Sequence, residues 1–178
     1  AAAWAWWTFV AALVVSVPVY VSQARSQWFF GDEWAFLAQR DAGRLAGWFD
    51  PHQEHWVTTP VLAYRVLWNV VGLHSYKPYL ALALASHLAV VVLLRAVLRR
   101  VGVSPWVATT CAAVLLFFGR GAENIVWAFM ITFTGALAFG LGQFLLLDRA
   151  ECSRRRQVAG AGFGIAALTC AGVGLVAL

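Results

Sequence analysis

Charged side chains are scarce in this sequence of 178 residues. Only 12% of the residues are Asp, Glu, Lys or Arg, whereas 62% are hydrophobic, and the chain contains 10 Trp and 12 Phe. An average soluble domain carries about 25% charged residues. The low charge therefore excludes an ordinary soluble domain and indicates a chain that lies largely in lipid.

Long uncharged runs make up most of the chain. A helix rises ~1.5 Å per residue and the hydrocarbon layer is ~30 Å thick, so roughly 20 residues cross it. Four runs qualify by length, and the fifth is extended by Arg95, whose long side chain reaches towards the interface. The sequence predicts one all-α domain, 1–178, a polytopic transmembrane helix bundle with about five spans, at 1–21, 78–97, 103–119, 124–147 and 158–178.

The ends of the chain carry a further expectation. The sequence starts at Ala1, without Met and inside an apolar run, and it stops at Leu178, inside the last one. The first run lacks the basic segment of a secretory signal and is longer than its apolar core, so we expect a retained helix. The sequence predicts the N-terminal part of a longer protein.

Motifs of several other protein classes are missing. The sequence has no P-loop and no GxGxxG fingerprint, the common signatures of nucleotide-binding folds. Its three cysteines, Cys111, Cys152 and Cys170, fall in predicted spans or in the loop between the last two, so no disulfide is expected in the outer loop. Gly160 and Gly164 form a GxxxG pair, which predicts close helix packing.

The basic residues predict the topology. Arg95, Arg99 and Arg100 form one cluster, and Arg149 with residues 154–156 forms a second one, two spans later. The positive-inside rule places both clusters in the cytoplasm, which makes the long loop 22–77 exoplasmic. Since the outer segments balance acidic and basic residues, the pI of about 9.6 reflects topology, and nucleic acid is not an expected partner. We expect a multi-pass protein of the plasma (inner) membrane.

The exoplasmic loop is predicted to hold two interfacial helices. The first covers roughly residues 32–48, where an apolar stripe is interrupted by Asp41. The second lies within 57–73 and is expected to start with Thr59 as its cap and Pro60 in its first turn. The apolar stripe of the first helix consists of Trp34, Leu37, Ala38, Leu45 and Trp48.

Two acidic residues, Asp32 and Glu33, follow the first span and are the candidate catalytic residues. A carboxylate among Trp28, Phe29, Phe30 and Trp34 at the membrane surface would have a raised pKa and could act as a general base. The alternative interpretation is structural, because Asp at the start of a helix also serves as a simple N-cap.

Residues 50–56 form a second polar group that contains His52, Glu54 and His55. Binding of substrate or phosphate is the favoured interpretation. A polar loop without a special role is an alternative, and a divalent metal ion is a third interpretation that the spacing does not favour, because it matches no well-defined zinc motif.

A third polar group occupies the turn 119–127, which contains Arg120 and Glu123. Arginine is well suited to bind phosphate, but a short turn also needs polar residues merely to stay hydrated. His87, within a span, is expected to bond to a neighbouring helix.

This arrangement resembles the front end of the GT-C superfamily, integral-membrane glycosyltransferases that use polyprenyl-phosphate-linked sugars. The similarity is to bacterial members, including relatives of protein mannosyltransferases and aminoarabinose transferases. It extends over essentially the whole chain and is mostly topological, and it departs from the family because such enzymes usually continue through many more helices. Its motifs are the acidic group 31–34 after the first helix, the pair 54–55 before Pro60, and the group 123–127 at the fourth span.

The resemblance implies transfer of a sugar from a polyprenyl-phosphate donor to a hydroxyl of a glycan, lipid or protein on the exoplasmic face. Asp32, or less favoured Glu33, would take the proton of the acceptor hydroxyl. No organic cofactor is expected. Cationic side chains would stabilise the leaving phosphate, and the substrate-binding residues are His52, Glu54, His55, Arg65, Lys77, Arg120 and Glu123.

A transporter fragment or a non-catalytic membrane subunit is the competing class. Transporters place ionisable groups near the middle of the bilayer. In this sequence the acidic residues lie in loops or surface helices, and only His87 and Gln143 lie deep in predicted spans. The distribution favours chemistry at the surface. The apolar groove for a prenyl tail is expected along residues 106–118 and 124–144.

Overall fold

The computed structural model describes residues 2–41, 43–148 and 153–172, with the side chain of Arg120 left out. The fold is all-α, as predicted, with 76% of the residues helical. Within the described residues there is no β-strand, only an isolated bridge between His52 and His55. The α-helices are α1 (Ala2–Gln23), α2 (Glu33–Leu37), α3 (Leu45–Phe49), α4 (Thr58–Val71), α5 (Lys77–Arg100), α6 (Pro105–Leu116), α7 (Ala122–Val126), α8 (Ile131–Leu147) and α9 (Arg154–Leu168).

Three helical segments are long and apolar enough to cross a membrane. They are α1, α5 and Ala128–Leu147, which joins a 3₁₀ turn to α8. Helix α6 has 12 residues, about 18 Å, and α9 has 15, about 22 Å. The predicted spans 103–119 and 158–178 therefore correspond to shorter helices, and 173–178 lie outside the described residues. The three long helices are compatible with a membrane protein.

Helices α1, α5 and α6 alternate in direction. Helices α1 and α5 are antiparallel, because the guanidinium of Arg95, late in α5, lies 5.1 Å from the Trp6 ring and 4.8 Å from the Phe9 ring, early in α1. The Arg95 Nε also donates to Thr109 Oγ1 of α6 over 3.0 Å. At the other end of α6, the Tyr20 hydroxyl of α1 donates to the Leu116 carbonyl. Helix α6 therefore runs parallel to α1.

The last two helices continue the alternation. Arg100 at the end of α5 forms a 2.8 Å ion pair with Asp148, directly after α8, so α5 and α8 point the same way. Helix α9 returns along α8, and Thr169 at its end bonds to Thr59 of α4, 2.7 Å between the hydroxyl oxygens. The loop 24–76 and residues 117–130 consequently lie at one end of the bundle, which we call the loop end. Arg99, Arg100 and residues 154–156 lie at the opposite end.

The GxxxG pair packs α9 against α8, as expected. A Cβ atom at Gly164 would lie 2.7 Å from the Gln143 side-chain oxygen, and one at Gly160 would lie 2.7 Å from the Leu147 side chain. At Gly162, between them on the other face, a Cβ would meet nothing within 4 Å. The pair permits close approach of two helices, as in other membrane bundles.

The prediction of one continuous helix over 32–48 is wrong. It is divided into α2 and α3, because the Asp41 side chain accepts a hydrogen bond from the Gly43 N–H over 2.9 Å. Such an Asx turn competes with helical hydrogen bonds. Of the predicted stripe, Leu37 is buried in α2 together with Glu33, Ala35 and Phe36, whereas Trp34 and Ala38 are exposed.

The second surface helix, α4, exists, but it begins two residues earlier than predicted. Its N-cap is Val57, and no side chain caps it. Thr59 does not cap the helix, because its hydroxyl bonds to Thr169. Pro60 lies in the first turn and is buried. Helix α4 is therefore fixed at its start by a contact with the end of α9.

Candidate functional site

Asp32 and His52 come together at the loop end. Asp32 precedes α2 in the N-cap position, but its side chain makes no capping hydrogen bond. Its Oδ1 lies 3.6 Å from His52 Nε2 and 3.5 Å from Gln53 Nε2. The Asp32 side chain is 34% exposed and that of His52 is 15% exposed. The structure thus joins two predicted site residues that are 20 positions apart, and it leaves the carboxylate open to solvent.

A tight turn of unusual backbone geometry positions His52. The backbones of His52 and His55 exchange two hydrogen bonds of 2.9 Å. The two residues between them have positive φ angles, 46° at Gln53 and 68° at Glu54. A turn with both central residues in this region is normally formed by Asn and Gly. Side chains there cost about 1–2 kcal/mol each, and such strain concentrates at functional sites.

Glu33 is fully buried and serves a different purpose. Its Oε1 accepts hydrogen bonds from the Tyr64 hydroxyl at 2.7 Å and the Tyr76 hydroxyl at 3.1 Å. Its Oε2 accepts one from the Phe30 N–H at 3.1 Å. The Trp127 indole nitrogen is buried near this carboxyl without hydrogen-bond geometry. The network links the start of the loop, α4 and the N-cap residue of α5.

Burial raises the pKa of Glu33, and the hydrogen bonds from its partners counteract part of the increase. Burial also raises the pKa of Tyr64 and Tyr76, and the nearby carboxylate raises both further. The two phenols therefore remain protonated donors at neutral pH. With no solvent access and its oxygens occupied, Glu33 is placed to hold the loop together, whereas the Asp32 carboxylate is partly exposed to solvent.

Tyr64 and Tyr76 were missed by the sequence analysis. Buried tyrosine hydroxyls nearly always find a hydrogen-bond partner, so a tyrosine in an otherwise apolar stretch is a usable signal. Tyr76 has two roles, because its hydroxyl also accepts from the Ala128 N–H at 2.8 Å. It thereby connects the loop to the segment that leads into α8.

The other predicted binding residues are dispersed over the loop end. The Arg65 side chain donates to the Arg40 carbonyl at 2.8 Å and lies 5.1 Å from the Trp68 ring, so it holds the loop. His55 Nδ1 accepts from the Gly172 N–H at 3.4 Å, and its ring contacts that of Phe133. Glu54 and Glu123 are exposed. The side chain of Arg120 lies outside the described part of the structure.

A groove runs between α1 and α5 to the loop end. It consists of three adjoining cavities of about 560, 400 and 350 Å³. Val17, Ala85 and Leu88 line both of the first two, and Val21, Lys77 and Leu80 line both of the last two. This groove therefore lies between α1 and α5, whereas the sequence predicted one along residues 106–118 and 124–144. Lys77 lies at its mouth.

No group of three or more His, Cys, Asp and Glu side chains in the described ranges is arranged to hold a metal ion. Comparisons with family models, with curated proteins and with solved structures find no match for this chain.

Proposed function

We propose that the protein is a membrane glycosyltransferase that moves a sugar from a polyprenyl-phosphate donor to an acceptor hydroxyl. The observation that carries the proposal is the 3.6 Å approach of Asp32 and His52 in a partly exposed site at the loop end. The mouth of an apolar groove opens at the same end. A soluble acceptor and a lipid donor can both reach that end.

In the proposed reaction, the Asp32 carboxylate takes the proton from the acceptor hydroxyl. The acceptor oxygen forms a bond to the anomeric carbon, and the bond between that carbon and the phosphate oxygen breaks. The electron pair of the broken bond remains on the lipid phosphate. We assign His52 as a positioning residue, because its buried Nε2, which has no hydrogen-bond partner within the described residues, lies 3.6 Å from Asp32 Oδ1.

The proposal includes the sidedness of the site. The loop end lies opposite Arg99, Arg100 and residues 154–156, and the positive-inside rule puts that basic end in the cytoplasm. The site then faces the exoplasmic side of the plasma (inner) membrane. A donor flipped to that side, rather than a cytosolic nucleotide sugar, is the matching substrate.

Release of polyprenyl phosphate from polyprenyl-phosphate-linked hexoses and pentoses tests the proposal. The protein is reconstituted in liposomes with glycan, lipid and peptide acceptors, and the released lipid is measured by mass spectrometry. Since a general base contributes about 10²- to 10⁴-fold, Asp32→Asn should lower the rate at least 100-fold. Asp41→Asn is the matched control, because Asp41 is an exposed carboxylate of the same loop and asparagine retains its acceptor for Gly43.

Two results would refute this function. Transfer within threefold of wild type in Asp32→Asn would remove Asp32 from the reaction. No release by the wild-type protein from any donor would favour the competing class, a membrane subunit or a transporter fragment.

A further inference from the structure

We propose that the groove between α1 and α5 binds a single-tailed lipid phosphate, with the tail along the helices and the phosphate between Arg25 and Lys77. The inference depends on the proposed function in one respect, the identity of the tail as polyprenyl. Arg25 was not among the candidate residues of the sequence. Both cations line the cavity at the mouth of the groove.

The walls of the groove fit a hydrocarbon tail. Below Lys77, the lining residues of the two inner cavities are all Leu, Val and Ala. The α5 residues that line it extend from Lys77 to Leu93, a distance of about 24 Å along the helix. This is most of the ~30 Å hydrocarbon layer. A channel between two adjacent helices is linear, which suits one tail rather than the pair of a diacyl lipid.

The mouth fits a phosphate. Arg25 and Lys77 are exposed, and neither forms an ion pair with any described residue. No acidic side chain lines the outer cavity, whose other polar residues are Gln27, Ser75 and Tyr76. A phosphate monoester carries about −1.5 to −2 charges at pH 7. Two unpaired cations therefore match it better than they match a zwitterionic headgroup.

The start of α5 adds to this preference. Lys77 is the first residue of a 24-residue helix, the N-cap Tyr76 makes no side-chain capping bond, and Ser75 Oγ accepts a hydrogen bond from the Lys77 N–H at 3.3 Å. The positive end of the helix dipole stabilises an anion placed there. Since Trp28, on the opposite wall of the mouth, is 52% exposed, it is also a natural reporter for a bound headgroup.

One residue connects the groove to the Asp32 site. Tyr76 lines the mouth, and its hydroxyl donates to Glu33, the neighbour of Asp32 in the chain. A phosphate bound by Arg25 and Lys77 therefore lies beside the network that fixes the start of α2. The groove brings the leaving phosphate to the same end as the proposed base.

Binding of polyprenyl phosphate to the full chain in phosphatidylcholine nanodiscs tests the inference, measured by tryptophan fluorescence and native mass spectrometry. We expect Arg25→Gln with Lys77→Gln to raise the Kd at least tenfold. Arg44→Gln is the charge control, because Arg44 is an exposed cation of the same loop outside the groove. Ala85→Trp, which fills two of the cavities, should raise the Kd similarly, whereas Val114→Trp on exposed α6 surface should not.

Unchanged binding in the Arg25/Lys77 double variant would overturn the inference. The inference would also be overturned if wild type bound phosphatidic acid as tightly as polyprenyl phosphate and the same variants lost both. The site would then be a general one for anionic phospholipids. Asp32→Asn should bind polyprenyl phosphate like wild type. A wild-type protein that binds this lipid but transfers no sugar would refute the proposed function while the groove assignment stands.

Discussion

Replacement of Glu33 by alanine distinguishes a structural role of this residue in the loop from a catalytic role. The change leaves the hydroxyls of Tyr64 and Tyr76 and the N–H of Phe30 without their acceptor. A buried donor without a partner costs about 1–3 kcal/mol. At the lower end of this range, the two buried tyrosine hydroxyls together predict a loss of about 2 kcal/mol of stability, whereas the part-buried Phe30 N–H can be hydrated. For a domain of this size, 1 kcal/mol corresponds to about 2–4 °C, so Tm should fall by about 4–8 °C.

Thermal unfolding of the purified protein in one detergent, followed by circular dichroism, measures this change. Glu33→Gln is the matched variant, because its amide oxygen still accepts from the tyrosines and only its NH₂ opposes the Phe30 N–H. It should therefore lose less stability than Glu33→Ala and retain sugar transfer. A Glu33→Ala protein that melts within 2 °C of wild type, but transfers no sugar, would refute the structural role and make Glu33 the base.

The pH dependence of the same measurement follows from the raised pKa of Glu33. Because the folded pKa lies above the unfolded value, the stabilising contribution is complete below the unfolded pKa, near 4.5, and is lost as the pH rises through the folded pKa. The Tm difference between wild type and Glu33→Gln should shift in favour of wild type as the pH falls through that window. A difference independent of pH would show that burial does not perturb this carboxyl.

Two further substitutions, each with a control, test other parts of the structure. Gly164→Leu should lower Tm by several degrees, because its side chain would enter the space of Gln143, whereas Gly162→Leu on the open face should leave Tm unchanged. Equal melting temperatures of the two variants would exclude close α8–α9 packing. Gln53→Pro should break the turn before His55 and reduce transfer, since proline fixes φ near −65° and the native value is 46°. Glu54→Gly should keep the turn with equal or greater stability, because glycine adopts a positive φ without strain. Full activity in Gln53→Pro would refute the role of the turn.

The long apolar runs allowed the main helices to be predicted from sequence, because backbone polar groups in lipid must be satisfied within the helix. Helices α1 and α5 lie close to their expected positions. Helix α6 is shorter than the run that predicted it. It ends at Leu116, and Gly121 then packs so closely under Phe118 that a Cβ atom would lie 2.5 Å from the ring. Hydropathy alone does not encode such a local turn.

The site could be predicted only in part. Asp32 and His52 were recognised as chemically unusual residues, but their approach depends on the strained turn that follows His52. Nothing in residues 53 and 54 is typical of that turn. The assignment of Glu33 to structure required its partners Tyr64 and Tyr76, which are 31 and 43 positions away. Such long-range hydrogen bonds have no local sequence pattern.

The contacts of the loop 24–76 have a consequence for the order in which the chain is assembled. Tyr76 accepts from Ala128, Thr59 bonds to Thr169, and His55 accepts from Gly172. During synthesis from the N-terminus, the loop leaves the ribosome long before these partners exist. The contacts that anchor His55, Thr59 and Tyr76 therefore form only after the last helices of the described chain, α8 and α9, have been synthesised.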